Sequence, residues 1–514
     1  MATRGVVAAG DAQTARAGTV ALEAGGNAVD AVCAAAFASF VAELPLTGPA
    51  GAGLVLHGSA REGWWVHDFF ARVPGRGGRP AELDFHPIVV DFGATTQTFH
   101  MGRGSAAVPG ALPGLLGLHR AHGRLPLRAV LEPAQRLATE GWVLSEGIAY
   151  VLELLEPIYR RTPETWAMVA RDGALPAPGT VSTSPGQAHL LEQLGRDPEQ
   201  TLRAVAADLA DRFGPGQGGL LSPVDLAGYA PTARRPLETR FAGRTVLTCP
   251  LPSAGGALIA YGLRIAEQEQ LCRRRHGEHW PAMARLLGQV SKAHRSGDAR
   301  HPAHLEHLLA EPLPPLAGPG EPTSRPEDPL GSTTHISVLD AEGGAAAITA
   351  SNGEGCGHAL PAWGIHVNNF LGEEDINPGG FHAGAPGSRM LTMMAPTVVL
   401  EDGVARRVLG SGGSNRIRSA LLQTLLNELG FGLDPAAAIA ADRLHVEGDR
   451  LWFEATGMSD ADRRSLEAAW PGATSFSRPS MYFGGVHVAG LDRDERLFGV
   501  ADARRAGAVA AVGE

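Results

Sequence analysis

The chain has 514 residues, of which 44% are hydrophobic and 19% charged, a composition that excludes a disordered or collagen-like protein. A formal net charge of -10 and a single lysine, Lys292, argue against a nucleic-acid partner and against a lysine-based phosphate loop. The four cysteines have neither CxxC nor zinc-site spacing.

The N-terminal part of the chain predicts helices and then a β-hairpin. The first 45 residues look helical: TARAGTVALEAGG ends in a glycine pair that can cap a helix, and Asn27 can serve as the N-cap of the next one. GLVLHG and GWWVHDFF follow as the strands of a hairpin. Because we find neither a signal-peptide core nor a run of about 20 apolar residues, we expect a cytoplasmic protein without a membrane span.

The middle of the chain predicts mainly helices. From about residue 109 to 213, segments such as LRAVLEPAQRLATEG carry apolar residues at i, i+3 and i+4. A strand, RTVLTCPLP, and a helix, AGGALIAYGLRIAEQEQL, come next. The helical spacing of His301, His304 and His307 predicts a solvated helix face rather than a metal site.

A stretch rich in Pro and Gly divides the chain. Residues 311–332, EPLPPLAGPGEPTSRPEDPLGS, predict a flexible tether without a regular element. After it come the strands THISVLD, GAAAITAS, TVVLEDG and RRVLG, a helix NRIRSALLQTLLNEL, and the strands RLWFEA, GGVHVAGLD and RLFGVAD. Batches of strands with helical blocks between them predict an α/β fold in which helices pack on stacked sheets.

The tether ends on a threonine that opens a strand. If Asp340 pairs with Ala345 across the hairpin turn, Thr333 lies opposite Asn352, with Ser351 adjacent, to within about one residue. A threonine hydroxyl needs a base to act as a nucleophile, and a free α-amine on the same residue supplies one. Thr333 acquires this amine if the preceding peptide bond is cut. The alternative is an ordinary strand that begins with threonine, a residue that favours strands.

A second candidate element is the Gly-rich turn in LGSGGSNRIRSALLQTLL. A strand-to-helix turn of this kind leaves backbone N–H groups free at a helix N-terminus, where they can stabilise an oxyanion. The alternative is an ordinary tight turn in which Ser414 or Asn415 caps the helix.

The segment TTHISVLDAEGGAAAITASN resembles the start of the small subunit of γ-glutamyltransferases (γ-glutamyl transpeptidases), a family of N-terminal-nucleophile hydrolases. Further matching segments lie in family order along essentially the whole chain: EAGGNAVDA (23–31), VPGALPGL (108–115), DLAGYAPTARRPL (225–237), PLPSAGGALI (250–259), NNFLGEED (368–375), MMAPTVVLEDG (393–403), GSGGSNRI (410–417) and ADARRAG (501–507). The resemblance implies a four-layer αββα sandwich. It also implies a precursor that cleaves itself into a large subunit, 1–332, and a small subunit, 333–514, which form one intertwined unit.

The resemblance also implies catalytic roles. Thr333 matches the nucleophile, and Ser351 matches a threonine whose hydroxyl is bonded to that nucleophile. Gly412 and Gly413 match the oxyanion glycines, although the spacing also allows Gly413 and Ser414. No cofactor and no metal is implied.

Residues that would bind the substrate follow from the same resemblance. Glu373 matches an aspartate that binds the α-amine of the substrate, and Thr392 matches a substrate-binding serine. Asn352 joins them through its predicted place beside the nucleophile.

The sequence differs from the family at the positions where family members bind the glutamyl group. Phe70 stands in place of the arginine that pairs with the α-carboxylate, and Phe370 stands in place of a Glu or Gln that contacts the α-amine. Met393 replaces a second serine. Arg72 should share a strand face with Phe70 and could replace the lost arginine. Losing a bidentate Arg–carboxylate pair should weaken recognition of a glutamyl group.

Three functions therefore stay open. The first is a γ-glutamyltransferase-like hydrolase or acyltransferase that forms an acyl-enzyme on Thr333 and passes the acyl group of a small molecule to water or an amine. The second is a C–C hydrolase, because some biosynthetic relatives of this family resemble enzymes that cleave a keto-acid side chain during alkylproline formation. The third is an uncleaved pseudoenzyme, against which the intact Thr333 argues.

Overall fold

Helices and strands occur in blocks along the chain. The computed structural model describes residues 4–91, 96–273, 279–295, 303–310, 312–316 and 331–513. The α-helices are Ala12–Glu23 (α1), Ala28–Ala42 (α2), Ala111–His122 (α3), Leu127–Glu140 (α4), Glu146–Tyr159 (α5), Pro163–Val169 (α6), Pro185–Arg196 (α7), Pro198–Phe213 (α8), Pro223–Ala227 (α9), Ala254–Gln268 (α10), His279–Arg295 (α11), Ala303–Ala310 (α12), Arg416–Leu425 (α13), Pro435–Ala440 (α14) and Asp460–Ala469 (α15). The strands are Gly5–Ala9 (β1), Ala52–Ser59 (β2), Gly63–Phe69 (β3), His86–Asp91 (β4), Thr96–Met101 (β5), Trp142–Val143 (β6), Val181–Ser182 (β7), Thr232–Arg234 (β8), Leu237–Phe241 (β9), Arg244–Thr248 (β10), Thr334–Asp340 (β11), Ala345–Ser351 (β12), Ala359–Leu360 (β13), Ile365–His366 (β14), Thr397–Glu401 (β15), Val404–Gly412 (β16), Leu444–Glu447 (β17), Arg450–Glu454 (β18), Thr474–Phe476 (β19), Gly485–Leu491 (β20), Leu497–Ala501 (β21) and Ala508–Val512 (β22).

Two antiparallel sheets form the centre of the fold. The first has the strand order β22-β1-β11-β12-β2-β3-β8, and the second has the order β21-β20-β16-β15-β10-β9. Side chains alternate between the faces of each strand, as the pleat requires. On β2, Val55 packs in the core on the helical side, whereas Leu54 and Leu56 pack in the core between the sheets.

Each sheet carries a layer of helices on its outer face. Helices α1, α2 and α4 share a buried core with the first sheet, and α10, α11 and α13 share another with the second. A third core joins the inner faces of the two sheets. The architecture is therefore the predicted four-layer αββα sandwich.

Helix α2 shows how composition places an element in this sandwich. All its residues are buried, which suits a sequence that is apolar on every side. Asn27 is its N-cap, as predicted: the Asn27 side chain accepts hydrogen bonds from Val29 N and Asp30 N, and Asp30 completes a capping box.

The prediction that the first 45 residues are helical was wrong for Gly5–Ala9. This segment is β1, a strand in the middle of the first sheet that pairs with β11 on one side and with β22 on the other. Five residues are too few to show a period, and both partners lie hundreds of residues away in sequence. Its conformation is set by long-range pairing rather than by a local pattern.

The predicted β11–β12 hairpin forms, but its register differs by one residue. Leu339 pairs with Ala345 and Thr334 with Ala350, so continuation of the ladder places Thr333 opposite Ser351 rather than opposite Asn352. The physical reason is the turn, which Asp340 closes by accepting hydrogen bonds from Gly344 N and Glu342 N. The hydroxyl of Ser351, not the carboxamide of Asn352, is therefore the group across from Thr333.

The first sheet contains strands from both sides of the Ser332–Thr333 bond. β1, β2, β3 and β8 precede that bond in sequence and β11, β12 and β22 follow it, so β1 lies between β22 and β11. Of the predicted tether, residues 312–316 form no regular element, and residues 311 and 317–330 lie outside the described part of the chain.

The described residues contain no helix that is long and apolar enough to cross a bilayer. Of the three histidines with helical spacing, His304 and His307 lie on α12 and His301 lies outside the described residues. Within the described ranges, no group of three metal-binding side chains converges.

Candidate active site

The peptide bond before Thr333 is held from across the hairpin. Thr333 is buried just before β11, and the Ser351 Oγ donates a hydrogen bond of 2.5 Å to the Ser332 carbonyl oxygen. The same Ser351 Oγ accepts a 2.9 Å hydrogen bond from Gly353 N. Because the backbone amide occupies a lone pair of the hydroxyl, the Ser351 proton is directed at the Ser332 carbonyl. The carbonyl of the predicted cleavage site is thus polarised by a fixed donor.

The residue after Thr333 is anchored to a buried carboxyl group. Thr334 Oγ1 donates to Glu43 Oε2 at 2.5 Å, and Thr14 Oγ1 donates to Glu43 Oε1 at 2.6 Å. Burial raises the pKa of Glu43 to about 7, and the nearby charge of Asp11 adds to this rise. A Cβ at Gly10 would lie 2.7 Å from the Glu43 carboxylate, so glycine makes room for the contact. Sequence reasoning missed Glu43, whose role depends on strands and helices that meet only in the fold.

The Gly-rich turn lies against Thr333, while its role as an oxyanion hole stays a prediction. A Cβ added to Gly412, at the end of β16, would lie 2.2 Å from the Thr333 carbonyl oxygen, so only glycine fits there. Gly413 has φ 117° and Ser414 has φ 46°, after which α13 begins at Arg416. The two glycines therefore combine close approach to Thr333 with a turn that other residues adopt at a cost.

Three buried carboxyl groups lie close to one another, and two of them contact Ser332 or the Gly-rich turn. Glu354 Oε1 accepts a 3.1 Å hydrogen bond from Ser332 N, and Asp375 accepts one from the Ser414 hydroxyl. Burial raises the pKa of Glu354, Glu373 and Asp375, and mutual repulsion adds to the rise for Glu354 and Glu373. Glu373 was predicted from the sequence, whereas Glu354 and Asp375 were missed. Glu354 lies only three residues beyond Ser351, but a strand pattern gives no sign that its chain turns back toward Ser332.

The two phenylalanines that the resemblance aligns with charge-binding residues pack on each other. The rings of Phe70 and Phe370 lie 5.2 Å apart between centroids, and each residue is about 1% exposed. Both belong to the core between the sheets, together with Met390 and Met394. Aromatic pairs at this separation stabilise a core by about 0.5–1.5 kcal/mol beyond their burial.

The structure places Arg72 differently from the expectation. β3 ends at Phe69, so the alternation of a strand does not carry Arg72 onto the face of Phe70. Its guanidinium instead donates 3.1 Å hydrogen bonds to the carbonyl oxygens of Gly228 and Ala230. Arg389, which sequence reasoning missed, donates to the backbone carbonyl of Phe70.

Two further predicted residues hydrogen-bond to the backbone of neighbouring segments. Asn352 Nδ2 donates to His366 O at 3.1 Å, while its buried Oδ1 has no hydrogen-bond partner. Thr392 Oγ1 accepts a 3.2 Å hydrogen bond from Met394 N. Their roles toward a substrate stay predictions.

Comparison with known proteins identifies the family of this chain. The sequence profile of the family described as gamma-glutamyltranspeptidase matches residues 14–512. This chain belongs to the gamma-glutamyltranspeptidase family. It is an enzyme of that family, a hydrolase or transferase.

Curated relatives and a solved structure match most of the chain. The glutathione hydrolase proenzyme of Pseudomonas aeruginosa is 30% identical over 486 residues, covering 88% of this chain and 85% of that protein. The acylase ACY 1 proenzyme of a Pseudomonas species is 28% identical over 541 residues, covering 99% and 94%. In fold, the chain is similar to cephalosporin acylase from Bacillus halodurans, with a TM-score of 0.78, 22% identity and coverage of 99% and 96%.

Proposed function

We propose that this gamma-glutamyltranspeptidase-family protein cleaves itself before Thr333 and then uses Thr333 as the nucleophile of an acyl-transfer reaction. The observation that carries the proposal is the 2.5 Å hydrogen bond from Ser351 Oγ to the Ser332 carbonyl oxygen, with Thr333 directly attached to that carbonyl. An oxyanion donor aimed at the bond to be cut is what self-cleavage requires.

Self-cleavage begins when the Thr333 hydroxyl oxygen attacks the Ser332 carbonyl carbon. The C–N bond to Thr333 breaks, an ester forms, and the hydroxyl proton ends on the nitrogen, which becomes an α-amine. Water then hydrolyses the ester to a Ser332 carboxylate and a free Thr333 hydroxyl. The reaction converts an internal threonine into a nucleophile that carries its own base.

The mature enzyme repeats the same chemistry on a substrate. The Thr333 α-amine takes the hydroxyl proton while the oxygen attacks the acyl carbon of an amide, and the leaving amine receives that proton. Backbone N–H groups of the Gly412–Gly413 turn are proposed as donors to the oxyanion. Water or an amine then accepts the acyl group, so both hydrolysis and transfer follow from one intermediate.

We further propose that simple γ-glutamyl compounds are poor substrates. Phe70 and Phe370 pack on each other, and an aromatic ring cannot form the charge-assisted hydrogen bonds that Arg forms with a carboxylate. Each lost hydrogen bond to a charged group weakens binding by about 1.5–3 kcal/mol. The location of the reaction in the cytoplasm stays a prediction from the sequence.

Mass spectrometry of the purified protein tests self-cleavage. We expect a fragment that begins at Thr333 and ends at Glu514, and we expect the Thr333→Ala variant to remain one chain. Thr474, which is exposed on β19, provides the control variant Thr474→Ala, which should cleave normally. Full activity in a chain that is never cut would refute the proposal.

Steady-state assays test the substrate. Glutathione and γ-glutamyl 4-nitroanilide should be hydrolysed slowly. An amide substrate that the enzyme hydrolyses faster than these two should leave its acyl group trapped on Thr333. Efficient hydrolysis of glutathione, inhibited by free L-glutamate, would show that another residue reads the α-carboxylate. Absence of any acyl adduct on a cleaved enzyme would favour the C–C hydrolase alternative.

A further inference from the structure

The peptide group that joins Gly331 to Ser332 is held at both of its polar atoms. Glu354 Oε1 accepts a 3.1 Å hydrogen bond from the Ser332 N–H, and Arg505 Nη2 donates a 3.4 Å hydrogen bond to the Gly331 carbonyl oxygen. Glu354 is 2% exposed, and Arg505 Nη1 also reaches the Thr333 carbonyl at 3.4 Å. A carboxyl and a guanidinium from distant parts of the sequence thus bracket a single amide.

This amide occupies a defined chemical position. In the self-cleavage proposed above, the Ser332 carbonyl carbon becomes the acyl carbon of the ester on Thr333. The amide held by Glu354 and Arg505 is therefore attached to the carbon next to the acyl carbon. The first acyl-enzyme that this protein forms is made from its own backbone, and these two side chains hold the acyl half of it.

Self-cleavage as proposed above frees the Ser332 carboxylate, so residues 331–332 can leave, and Glu354 and Arg505 then face the vacated space. Glu354 Oε2 already has no hydrogen-bond partner in the uncleaved chain, and Arg505 Nε has none either. Buried polar groups without partners cost free energy, so a ligand that restores both lost contacts is favoured over one that restores neither.

We propose, resting on the function proposed above, that the mature site selects acyl donors with a secondary amide on the carbon next to the acyl carbon. Glu354 accepts the N–H of that amide, and Arg505 donates to its carbonyl. The substrate class is N-acyl-α-aminoacyl amides, which includes short peptides. In a γ-glutamyl group the nitrogen lies two carbons farther from the acyl carbon and cannot occupy the same place.

The group on the far side of the amide carbonyl must be small. A Cβ on Gly331 would lie 2.5 Å from Ser414 Cβ and 3.1 Å from Ser414 N. Ser414 is itself fixed by its hydrogen bond to Asp375. Acetyl and glycyl groups fit this limit, whereas a branched or aromatic residue would collide with the turn.

The covalent step is that of the proposed function. The Thr333 Oγ–C bond forms as the donor's C–N bond to its leaving amine breaks, and the hydroxyl proton passes through the Thr333 α-amine to that leaving amine. Water then breaks the ester and releases an N-acyl-α-amino acid. No oxidant, reductant or metal takes part.

A matched pair of substrates tests the inference on the wild-type enzyme. The first is N-acetylseryl 4-nitroanilide, and the second is the same molecule with the acetamide N–H replaced by an ester oxygen. We expect kcat/KM to be roughly 10–100-fold higher for the first, the loss typical when a buried hydrogen-bonding group loses its partner. Equal rates for the pair, or faster hydrolysis of γ-glutamyl 4-nitroanilide, would overturn the inference.

Variants assign the preference to Glu354. In Glu354→Ala the rate ratio between the two substrates should fall toward one, and Glu354→Gln should restore much of it because the amide oxygen still accepts. Glu374, an exposed neighbour of Glu373, supplies the control Glu374→Ala, which should keep the full ratio. A ratio that survives in Glu354→Ala would overturn the assignment.

Failure of the inference and failure of the proposed function give different results. An enzyme that is cleaved at Thr333 and carries an acyl adduct, yet ignores the acetamide N–H, refutes the inference alone. A chain that is neither cleaved nor acylated refutes the function, and the inference with it. N-Acetylvalyl-seryl 4-nitroanilide adds a test of size, because hydrolysis as fast as that of the N-acetylseryl compound would contradict the limit set by Ser414.

Discussion

Replacement of Ser351 by alanine should slow self-cleavage strongly without unfolding the protein. Ser351 Oγ is the side-chain donor on the Ser332 carbonyl oxygen, at 2.5 Å, and alanine removes it. Loss of one oxyanion donor costs about 10²–10³ in rate, or about 2.7–4 kcal/mol of transition-state stabilisation. The variant also leaves Gly353 N without the acceptor it has at 2.9 Å, a loss confined to the loop after β12. We therefore expect slow maturation of a folded precursor.

The assay follows the precursor after cell-free synthesis. A denaturing gel measures the rate at which the 333–514 fragment appears, and mass spectrometry confirms Thr333 as its first residue. Ser351→Thr is the matched control, because it keeps a hydroxyl at the same point of β12, and it should cleave much faster than Ser351→Ala. Thermal unfolding reports whether each precursor is folded.

A single result would refute the reasoning. If folded Ser351→Ala matures at the wild-type rate, the hydrogen bond to the Ser332 carbonyl does not stabilise the transition state. The oxyanion of self-cleavage would then have to be stabilised by another donor, and the Gly412–Gly413 turn would be the first place to look.

Three further predictions concern the turn, the buried acid and the aromatic pair. Gly412→Ala places a Cβ 2.2 Å from the Thr333 carbonyl oxygen, which must move by about 1 Å. Such a displacement should lower turnover by about 10²-fold. Gly216→Ala, with open space around it, is the control and should leave turnover unchanged. Glu43 has a pKa raised from 4.5 to about 7, so between these values the folded state holds a proton that the unfolded state has lost. Rising pH therefore lowers the free energy of unfolding over that interval, by up to about 1.4 kcal/mol per pH unit. Denaturant titrations of Glu43→Gln should show a free energy of unfolding that depends less on pH. An equal pH dependence for both proteins would contradict the raised pKa. Phe370→Ala should lower the free energy of unfolding by about 3–5 kcal/mol because it opens a cavity between the sheets, and a loss below about 1 kcal/mol would show that the pair is not packed as described.

Local patterns were sufficient for much of the fold. Helical spacing between residues 109 and 213 predicted the block from α3 to α8, and the alternation in GLVLHG and GWWVHDFF predicted the β2–β3 hairpin. Asn27 was recognised as an N-cap from its position before an apolar run. These features depend on neighbours within a few residues, so the sequence shows them directly.

Long-range pairing was beyond local patterns. Gly5–Ala9 is a strand because β11 and β22 lie on either side of it, and a five-residue segment carries no period of its own. The hairpin register differs from the prediction by one residue because the Asp340 carboxylate closes the turn. Arg72 does not share a strand face with Phe70 because β3 ends at Phe69. In each case the deciding contact involves atoms whose positions are set by the rest of the fold.

The sequence by itself determined the family, because its motifs follow one another in family order, and the resemblance in turn implied the four layers and Thr333 as the candidate nucleophile. The hairpin register already placed Ser351 beside Thr333, but the tertiary structure alone decided which other groups surround the Ser332–Thr333 bond. Glu43, Glu354 and Arg505 come from the end of α2, the loop after β12 and the turn before β22. Hydrogen bonds of about 3 Å between such distant segments arise from sheet pairing and layer packing, and a linear pattern carries no record of them.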